Sequence, residues 1–455
     1  MLGSVAFTFL TGERLAGYWR GFAAGLFYVC SAGAFLEGRT VTPEPIFALF
    51  VTAAIYCAVR GYQHQKFRAA WFGACWLGVA LASLTKGPLA ALLLALVLAA
   101  LAMFFREARL RFRPLLHWPN LLLFVVIVAP WYVWAARNYP GFLSYYFNSN
   151  GFLPNPSRRQ FLLDACVWSC PGILLVLPAL LSGGRRIFRP SEFAFADALP
   201  IAWCSAALLL PLVAGARHTF SAFAAMPAVA LFAAWAWERA SRALRSAGVV
   251  LALVAGFSLA GLAYFAPGTV ANLLGRSVDG GLWSSLAPLI QIAVGSLAAF
   301  GLGALLTAKQ RGEITLVVIL GAMVPIGFCL VEARSRVAPW FSLADAAQFL
   351  NPRLAPATEV IYEGRLSSGN SLSFYLGKKF FLVNQAPTWP ERAAASQNKY
   401  LDEHFVLEAW DGSNPIYLII EESRVAYWRQ LIVNRVHIYH QVTTCGSRVI
   451  LSNQM

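Results

Sequence analysis

A series of long apolar segments restricts most strongly how this chain can fold. There are twelve, of which the first is short, and they run approximately over residues 1–11, 16–36, 44–60, 69–85, 88–104, 119–136, 165–182, 198–215, 219–237, 247–266, 284–307 and 314–332. Many approach the roughly 20 residues that a helix needs to cross a bilayer. A helix also satisfies its own backbone hydrogen bonds where no water is present. The pattern therefore predicts a mainly α fold, a polytopic transmembrane bundle of about twelve helices.

The composition agrees with this interpretation and argues against nucleic-acid binding. Of the 455 residues, 58% are hydrophobic and 13% are charged, which is about half the charged fraction of a soluble globular protein. The formal net charge is +15, but the Lys and Arg residues occur in short clusters between the apolar segments. Because they do not follow one exposed face, we predict membrane lipids and no nucleic acid as partners.

The basic clusters also predict the orientation of the bundle. If the segments alternate across the membrane, the loops on one side hold most basic residues, namely Arg14, Lys66, Arg68, Arg106, Arg109, Arg111, Arg113, Arg185, Arg186, Arg189, Arg239, Arg242, Arg245, Lys309 and Arg311. The loops on the other side hold only scattered ones, namely Arg39, Lys86, Arg137, Arg158, Arg159, Arg217 and Arg276. Short cytoplasmic loops are enriched in Lys and Arg. We therefore predict a multi-pass protein of the inner or plasma membrane, with the first set of loops cytoplasmic and the C-terminal domain extracytoplasmic.

A change of composition near residue 336 predicts two domains, a transmembrane domain over residues 1–335 and a small α/β domain over residues 336–455. In the second domain, alternating patterns predict strands at Thr358–Tyr362, Phe380–Asn384, Ile416–Ile420 and Arg448–Ser452. Helices are predicted at Ala344–Leu350, Ser371–Leu376, Trp389–Glu403 and Ser423–Val433. The domain carries no Gly-rich phosphate loop, zinc-type cysteine pair or hydrolase elbow. We interpret His437 and His440 as surface or core residues rather than ligands.

Polar residues at the predicted outer ends of the helices are the candidates for function. Glu44 starts segment three, after a short loop that contains Arg39. It can be a helix-start acid that the macrodipole favours, or a carboxylate held at a cavity of the membrane face, where ionisable groups are costly. Lys86 lies in the tight turn Leu84-Thr-Lys-Gly-Pro88. It can be a snorkelling lysine or a cation that meets a phosphate.

Two further outer loops carry basic residues. Arg158 and Arg159 follow a stretch rich in Tyr and Asn. They can bind a phosphate or sugar hydroxyls through hydrogen bonds, although arginines in loops are often only solvated. Arg217 and His218 lie at the outer end of segment nine. As with Lys86, a basic residue on this side suggests an anionic partner, whereas His218 can simply be interfacial.

The chain resembles polyprenyl-phosphate-sugar-dependent glycosyltransferases of the GT-C superfamily in four motifs. These are Arg39-x-x-x-x-Glu44, Ala82-Ser-Leu-Thr-Lys86-Gly-Pro, Pro130-Trp-Tyr, and Arg217 followed by Pro227. The resemblance is to the lipid A aminoarabinose transferase and dolichyl-phosphate-mannose protein mannosyltransferase type, and it extends over nearly the whole chain. It implies a membrane enzyme that moves a hexosyl or pentosyl group from a polyprenyl-phosphate carrier to a lipid, glycan or protein acceptor outside the cytoplasm, as in lipid A modification of the cell envelope.

The resemblance also implies roles for single residues. Lys86 matches the family lysine that meets the carrier phosphate, Glu44 matches the second acidic position, and Arg217 matches a basic residue near the same phosphate. The remaining candidates for contacts with the substrate or the carrier phosphate are Arg39, Arg158, Arg159 and His218. We expect Lys86, Glu44 and Arg217 to converge at one end of the bundle.

The chain differs from this family in two places. The family's first helix and the outer loop with its acidic catalytic base are missing, so no catalytic residue is assigned and we expect the chain alone to be inactive or nearly so. After segment six the sequence has Asn148-Ser-Asn150 where family members often carry an acidic–His pair that can bind a metal. This argues against a divalent metal, and no other cofactor is predicted.

Two other functions stay open. A transporter would favour broken helices, charges at the membrane midplane and often internal repeats, whereas the charges here crowd the outer helix ends. A non-catalytic, truncated relative of the transferases is the other alternative. The sequence identifies neither the sugar, nor the acceptor, nor the oligomeric state.

Overall fold

The structure is a computed structural model that describes residues 1–87, 89–143, 158–187, 194–213, 222–266, 269, 280–308, 311–385, 399–435 and 439–454. The chain divides into two compact units. The first unit consists of Met1–Asn138 and Phe142–Glu332, and the second consists of Tyr139–Gly141 and Ala333–Met455.

The first unit is built from helices. In chain order they are α1 Leu2–Ala16, α2 Tyr18–Val29, α3 Ala32–Glu37, α4 Glu44–Gln63, α5 Arg68–Lys86, α6 Leu89–Phe104, α7 Arg106–Phe112, α8 Trp118–Asn138, α9 Arg158–Trp168, α10 Gly172–Ile187, α11 Phe195–Val213, α12 Met226–Arg239, α13 Arg242–Phe265, α14 Gly280–Ala308, α15 Gly312–Gly321 and α16 Met323–Phe341. Two short 3-10 helices, Arg113–Leu116 and Ala222–Ala225, lie between them.

Within the described part of the chain, seven helices are long and apolar enough to cross a membrane. The number becomes eight if the bent pair Phe161–Trp168 and Gly172–Leu181 forms one span. In its described residues, every predicted apolar segment coincides with a helix or with a broken pair of helices, but several of these helices are shorter than a bilayer requires. Segment two, for example, is interrupted because α2 ends at Val29 and the Ser31 side chain caps a new helix by accepting from the Ala34 N–H.

Helices α1 and α2 pack as a hairpin through small residues. Gly17 joins them with a φ of 92°, a conformation that favours glycine. A β-carbon at Gly21 would lie 2.5 Å from the carbonyl oxygen of Phe9, and Gly12 faces Gly21 across the same contact. Close approach of two backbones at glycine is typical of helix pairs in membranes. The contact therefore determines how closely α1 and α2 can pack.

Helices α4 and α5 form a second antiparallel hairpin. A β-carbon at Gly78 of α5 would lie 3.1 Å from the Ala54 β-carbon of α4. Towards the connecting turn, Gly61 packs against the ring of Phe72. Because the helices run in opposite directions, the first residue of α4 and the last residue of α5 lie at the same end of the hairpin.

Contacts between helix ends define one end of the first unit. The side-chain nitrogen of Gln63 donates a hydrogen bond to the Arg14 carbonyl oxygen at 2.6 Å. The Tyr62 ring stacks on Phe195 at a centroid distance of 4.0 Å, and the Arg111 guanidinium lies 4.9 Å from the Tyr62 centroid. The ends of α1 and α4, helix α7 and the start of α11 therefore meet beside the loops rich in Lys and Arg. This arrangement agrees with the predicted alternation, and the side of the membrane that it faces stays a prediction.

The second unit is a mixed α/β domain. Its strands are β1 Glu359–Glu363, β2 Phe381–Val383, β3 Tyr400–Leu401, β4 Ile416–Glu421, β5 His440–Cys445 and β6 Arg448–Ser452, and its helices are α17 Ala344–Leu350, α18 Asn370–Tyr375, α19 Glu403–Trp410 and α20 Val425–Arg435. The described strands form one sheet in the order β3-β2-β1-β4-β6-β5. Strands β3, β2, β1 and β4 are parallel to one another, and β6 pairs antiparallel with β4 and β5. Buried apolar side chains cover both faces of the sheet.

Polar residues from three strand-to-helix junctions meet at the carboxyl edge of the parallel strands. The Glu363 carboxylate, at the end of β1, accepts hydrogen bonds from Arg424 at 2.9 Å, Asn384 at 3.0 Å and Trp428 at 2.8 Å. Burial alone would raise the pKa of the Glu363 carboxyl. The hydrogen bonds from Arg424, Asn384 and Trp428 outweigh burial and lower that pKa below its ordinary value. The network therefore favours the charged form of Glu363. It also connects the ends of β1, β2 and β4 through hydrogen bonds.

Most predicted elements of the second unit agree with the structure, and one does not. The four predicted strands and three of the four predicted helices lie within two residues of observed elements. The helix predicted over Trp389–Glu403 is wrong at its end, because Tyr400–Leu401 is a strand and α19 starts at Glu403. The Asp402 carboxylate accepts a hydrogen bond from the Phe405 N–H and so begins a helix there. Residues 389–398 of this prediction lie outside the described residues.

The pattern also misses strand β5. A register shift between Gln441 and Thr443 interrupts its pairing with β6, so the side chains do not alternate regularly along the strand. His440 is the first residue of β5, and His437 lies outside the described residues.

Candidate functional site

Lys86 and Glu44 form a buried ion pair in the first unit. The Lys86 ammonium donates a hydrogen bond to Oε1 of Glu44, and each side chain is only 11% exposed. The Lys86 nitrogen also lies 5.9 Å from the ring centroid of Phe47, which is fully buried. Two of the predicted site residues therefore meet in a largely apolar environment.

Local sequence signals place both charges at helix termini. Helix α4 begins at Glu44, which Pro45 follows within the first turn, a position where proline is well tolerated. Helix α5 ends at Lys86 because Gly87 adopts a φ of 95° and donates its N–H to the Ser83 carbonyl oxygen. A carboxylate at a helix start and an ammonium at a helix end both complement the helix dipole. The antiparallel hairpin then brings the two charges together.

The Pro-Trp-Tyr motif of α8 lies next to the same turn. The Tyr132 hydroxyl is 3.5 Å from the Ser83 carbonyl oxygen, and Ser83 is buried in the last turns of α5. Two motifs that are far apart in the sequence therefore lie side by side near Lys86.

The structure does not bring the other described candidates to this pair. Arg39 is exposed, and its guanidinium lies 5.6 Å from the ring of Phe35 and 6.0 Å from the ring of Phe328. Arg159 is an exposed residue of α9. Arg158 begins the same helix, but its side chain lies outside the described parts of the chain.

Arg217 and His218 lie outside the described residues, as do Asn148 and Asn150 of the outer loop. Among the residues that the structure describes, no three His, Cys, Asp or Glu side chains lie close enough together to hold a metal ion.

Sequence reasoning missed a second buried charge network, which lies at the end of the bundle where α1 and α4 terminate. Arg20 of α2 pairs with Asp197 of α11 at 3.2 Å and with Glu238 of α12 at 2.7 Å. Asp197 also pairs with Arg239 at 2.8 Å. The signal was available, because Arg20 is an isolated charge within an apolar segment and such charges usually need a partner. The network ties three helices together.

An apolar groove borders the helix that follows the Lys86 turn. It lies between α6 and α11 and has a volume of about 510 Å³. Its walls include Leu96, Ala100, Leu101, Ala202, Ala206 and Leu209. Helix α6 begins at Leu89, three residues after Lys86, so Leu96 lies about 10 Å further along that helix. The groove continues from there to Phe104 and Phe105 at the far end of α6, and its apolar lining suits a hydrocarbon chain.

Known proteins resemble this chain in part of its sequence and in its fold. A family model described as dolichyl-phosphate-mannose-protein mannosyltransferase matches residues 1–146, which include both Glu44 and Lys86. No curated protein matches the chain. The fold is similar to the crystal structure of ArnT from Cupriavidus metallidurans bound to undecaprenyl phosphate, with a TM-score of 0.77, and to ArnT in the apo state, with a TM-score of 0.74. In both comparisons the identity is 19%, and the match covers 99% of this chain and 82% of ArnT.

These similarities confirm two of the predictions made from the sequence. The resemblance to the mannosyltransferase and ArnT type is confirmed by the family model and by the shared fold. The predicted fold class, a mainly α membrane bundle with a small C-terminal α/β domain, is confirmed as well.

Proposed function

We propose that this protein is a membrane glycosyltransferase that moves a sugar from a polyprenyl-phosphate carrier to an acceptor. The observation that carries the proposal is the buried Lys86–Glu44 ion pair at the shared end of α4 and α5. Two similarities support it. The pair lies within the residues that match the mannosyltransferase model, and ArnT, which has the same fold, has been crystallised with undecaprenyl phosphate. The transferred group is a hexosyl or pentosyl sugar, and the acceptor is a lipid such as lipid A, a glycan or a protein.

Lys86 carries the chemistry in this proposal. During transfer, the bond between the anomeric carbon and the carrier phosphate oxygen breaks, and the acceptor hydroxyl oxygen bonds to the same carbon as its proton leaves to a base. The departing phosphate gains one negative charge, which the Lys86 ammonium stabilises. Glu44 holds Lys86 in position before the donor binds. We assign no residue to removal of the proton, and Arg39, Arg158, Arg159, Arg217 and His218 remain candidates for further contacts with the substrate.

The groove between α6 and α11 accommodates the hydrocarbon chain of the carrier in this proposal. Its lining is almost entirely apolar, and burial of apolar surface contributes roughly 25 cal/mol per Å². Part of a long prenyl chain can therefore lie along the groove while its phosphate is at Lys86.

The reaction takes place on the extracytoplasmic side in this proposal. Lys86 and Glu44 lie at the end of the α4–α5 hairpin away from the loops rich in Lys and Arg, and such loops are usually cytoplasmic. The C-terminal α/β domain is then extracytoplasmic as well. Proteolysis of the C-terminal domain in intact spheroplasts, with protection in inside-out vesicles, is the expected result.

A transfer assay combined with a binding assay tests the proposed function. Membranes that contain the protein are incubated with undecaprenyl-phosphate-linked radiolabelled sugar, and purified protein is titrated with undecaprenyl phosphate. Because no base is assigned, the chain alone should transfer little or no label. With the family's first helix and base loop fused to the chain, we expect label in a lipid, glycan or protein fraction, and a roughly hundredfold lower rate for Lys86→Ala, from about 3 kcal/mol for one electrostatic contact. Lys66→Ala, which removes an exposed lysine at the other end of the hairpin, is the matched control.

The two readouts separate the alternatives. Binding of undecaprenyl phosphate without transfer by the fused chain would support a non-catalytic relative. Neither binding nor transfer by the fused chain, or equal transfer rates for the fused chain with and without Lys86→Ala, would refute the proposal.

A further inference from the structure

The second unit contains a groove that the proposed transfer reaction does not use. It lies between helix α20 and the edge strand β5 and has a volume of about 650 Å³. Binding sites for small molecules commonly range from roughly 300 to 1,000 Å³. The groove is therefore large enough to hold a ligand of that kind.

Four uncharged polar side chains line this groove. Gln430 and Asn434 come from α20, and Gln441 and Thr444 come from β5. All four residues are exposed, so their hydrogen-bonding groups are accessible to a ligand. Each of these side chains can both donate and accept hydrogen bonds.

A β-bulge brings the two β5 residues to the same side of the sheet. Gln441 pairs with Leu451 and Thr444 pairs with Val449, with a register shift between Gln441 and Thr443. Leu451 and Val449 are two residues apart and belong to the apolar cluster that contains the buried side chains of α20. In a regular strand, residues three apart point to opposite faces. The extra residue of the bulge therefore keeps Thr444 on the groove side together with Gln441.

Helix α20 supplies the opposite wall through its own periodicity. Trp428 and Ile432 are buried in the apolar cluster against the sheet. Gln430 and Asn434 are four residues apart and share a different, exposed face of the helix. Aliphatic groups, including the side chains of Val433 and Val449, also line the groove.

The groove lining has no excess of positive charge, which argues against an anionic ligand. Its lining holds one acidic residue, Glu422, and one basic residue, Arg429, although the whole chain has a formal net charge of +15. A site for phosphate would concentrate cations. Amide and hydroxyl groups beside aliphatic carbon instead suit a ligand that has many hydroxyl groups and apolar C–H faces. We infer that the groove binds a neutral oligosaccharide.

An extended peptide that adds a strand to β5 is the competing occupant. Such strand addition depends on a continuous row of backbone hydrogen bonds along the edge. The bulge at Gln441 interrupts the regular geometry of β5 and so weakens that row. The same feature that brings the polar side chains together therefore disfavours a peptide.

Ligand-observed NMR and calorimetry on the purified, detergent-solubilised full chain test this inference. The ligands are short uncharged oligosaccharides of glucose, mannose or N-acetylglucosamine, and a set of extended peptides is tested in parallel. We expect at least one oligosaccharide to bind, with affinity about tenfold or more weaker for Gln430→Ala/Asn434→Ala because two hydrogen-bonding side chains are lost. Thr444→Val, which keeps the shape of the strand residue, should weaken binding by a smaller factor. Gln348→Ala, at an exposed amide on α17, should change nothing.

Three outcomes would overturn the inference. They are the absence of binding by any oligosaccharide, equal affinity for the double variant and the unmodified protein, and binding of an extended peptide that the double variant loses. The assay does not depend on sugar transfer, so the groove and the transferase proposal can each fail without the other.

Discussion

Replacing Lys86 or Glu44 should separate two roles of the buried ion pair, stabilising the hairpin and binding an anionic ligand. The useful variants are Lys86→Met, Glu44→Gln and the double variant, because these changes remove charge and largely keep side-chain volume. Removing one partner leaves the other charged in a site where each side chain is only 11% exposed. Such a change costs about 3–5 kcal/mol of stability, whereas removing both charges of a buried pair is often nearly neutral.

Ligand binding should follow a different order from stability. In Glu44→Gln, Lys86 has lost its carboxylate, and the phosphate of undecaprenyl phosphate can replace it, so affinity should rise. In Lys86→Met the remaining carboxylate repels the phosphate. Losing a charged hydrogen bond of about 1.5–3 kcal/mol should weaken binding roughly ten- to hundredfold. The double variant should regain stability but not affinity.

Thermal unfolding in detergent, with and without undecaprenyl phosphate, measures both properties in one experiment. The ligand should raise the unfolding midpoint of Glu44→Gln more than that of the unmodified protein, and should leave that of Lys86→Met nearly unchanged. Equal ligand stabilisation of Lys86→Met and the unmodified protein would refute the assignment of Lys86. A loss of binding in Glu44→Gln as large as that in Lys86→Met would refute the assignment of Glu44 as a positioning group.

Three further predictions concern other parts of the chain. Asp197→Asn should lower the unfolding midpoint by several degrees, because it removes the charge that pairs with both Arg20 and Arg239, although Arg20 keeps its pair with Glu238; an unchanged midpoint would show that the network does not hold its helices together. The pKa of Glu363 is lowered in the folded state from an ordinary value of 4.5, so its stabilisation is present above about pH 4.5 and is lost as the pH falls through the folded pKa. Tryptophan fluorescence during acid unfolding should show a less steep loss of stability for Glu363→Gln, and an identical acid limb would contradict the role of this carboxylate. Gly21→Val should destabilise the α1–α2 hairpin by about 1–3 kcal/mol through overpacking, whereas Gly261→Ala, at a glycine with open space around it, should not; similar chemical-denaturation midpoints for both would count against the close contact.

The sequence predicts the membrane architecture well because each signal is local. The requirement for a run of apolar residues acts within one helix, and the basic clusters sort the connecting loops in the same way. Breaks within segments are harder to predict. Helix α2 ends at Val29, and a new helix begins after Ser31 because the Ser31 side chain caps it. This break lies inside a segment that is apolar on average, so the average hydropathy does not reveal it.

The candidate site shows the same division between local and long-range information. Glu44 and Lys86 can be singled out from the sequence, because each is an isolated charge at the end of an apolar segment. Their pairing depends on how α4 packs against α5, and the resemblance to a family implied it where the residues alone did not. The network around Arg20 and Asp197 was missed because its members lie 177 residues apart and no local pattern links them.

The close packing of α4 against α5 has a consequence for how related sequences can vary in length. Gly78 fits against Ala54, and this fit determines the register in which the hairpin assembles. One residue inserted between Gly78 and Lys86 would rotate the lysine by about 100° around the helix axis and turn it away from Glu44. Insertions in the connecting turn at residues 64–67 would leave both termini unchanged. We therefore expect that insertions and deletions among relatives with this fold occur in that turn and not within the two helices.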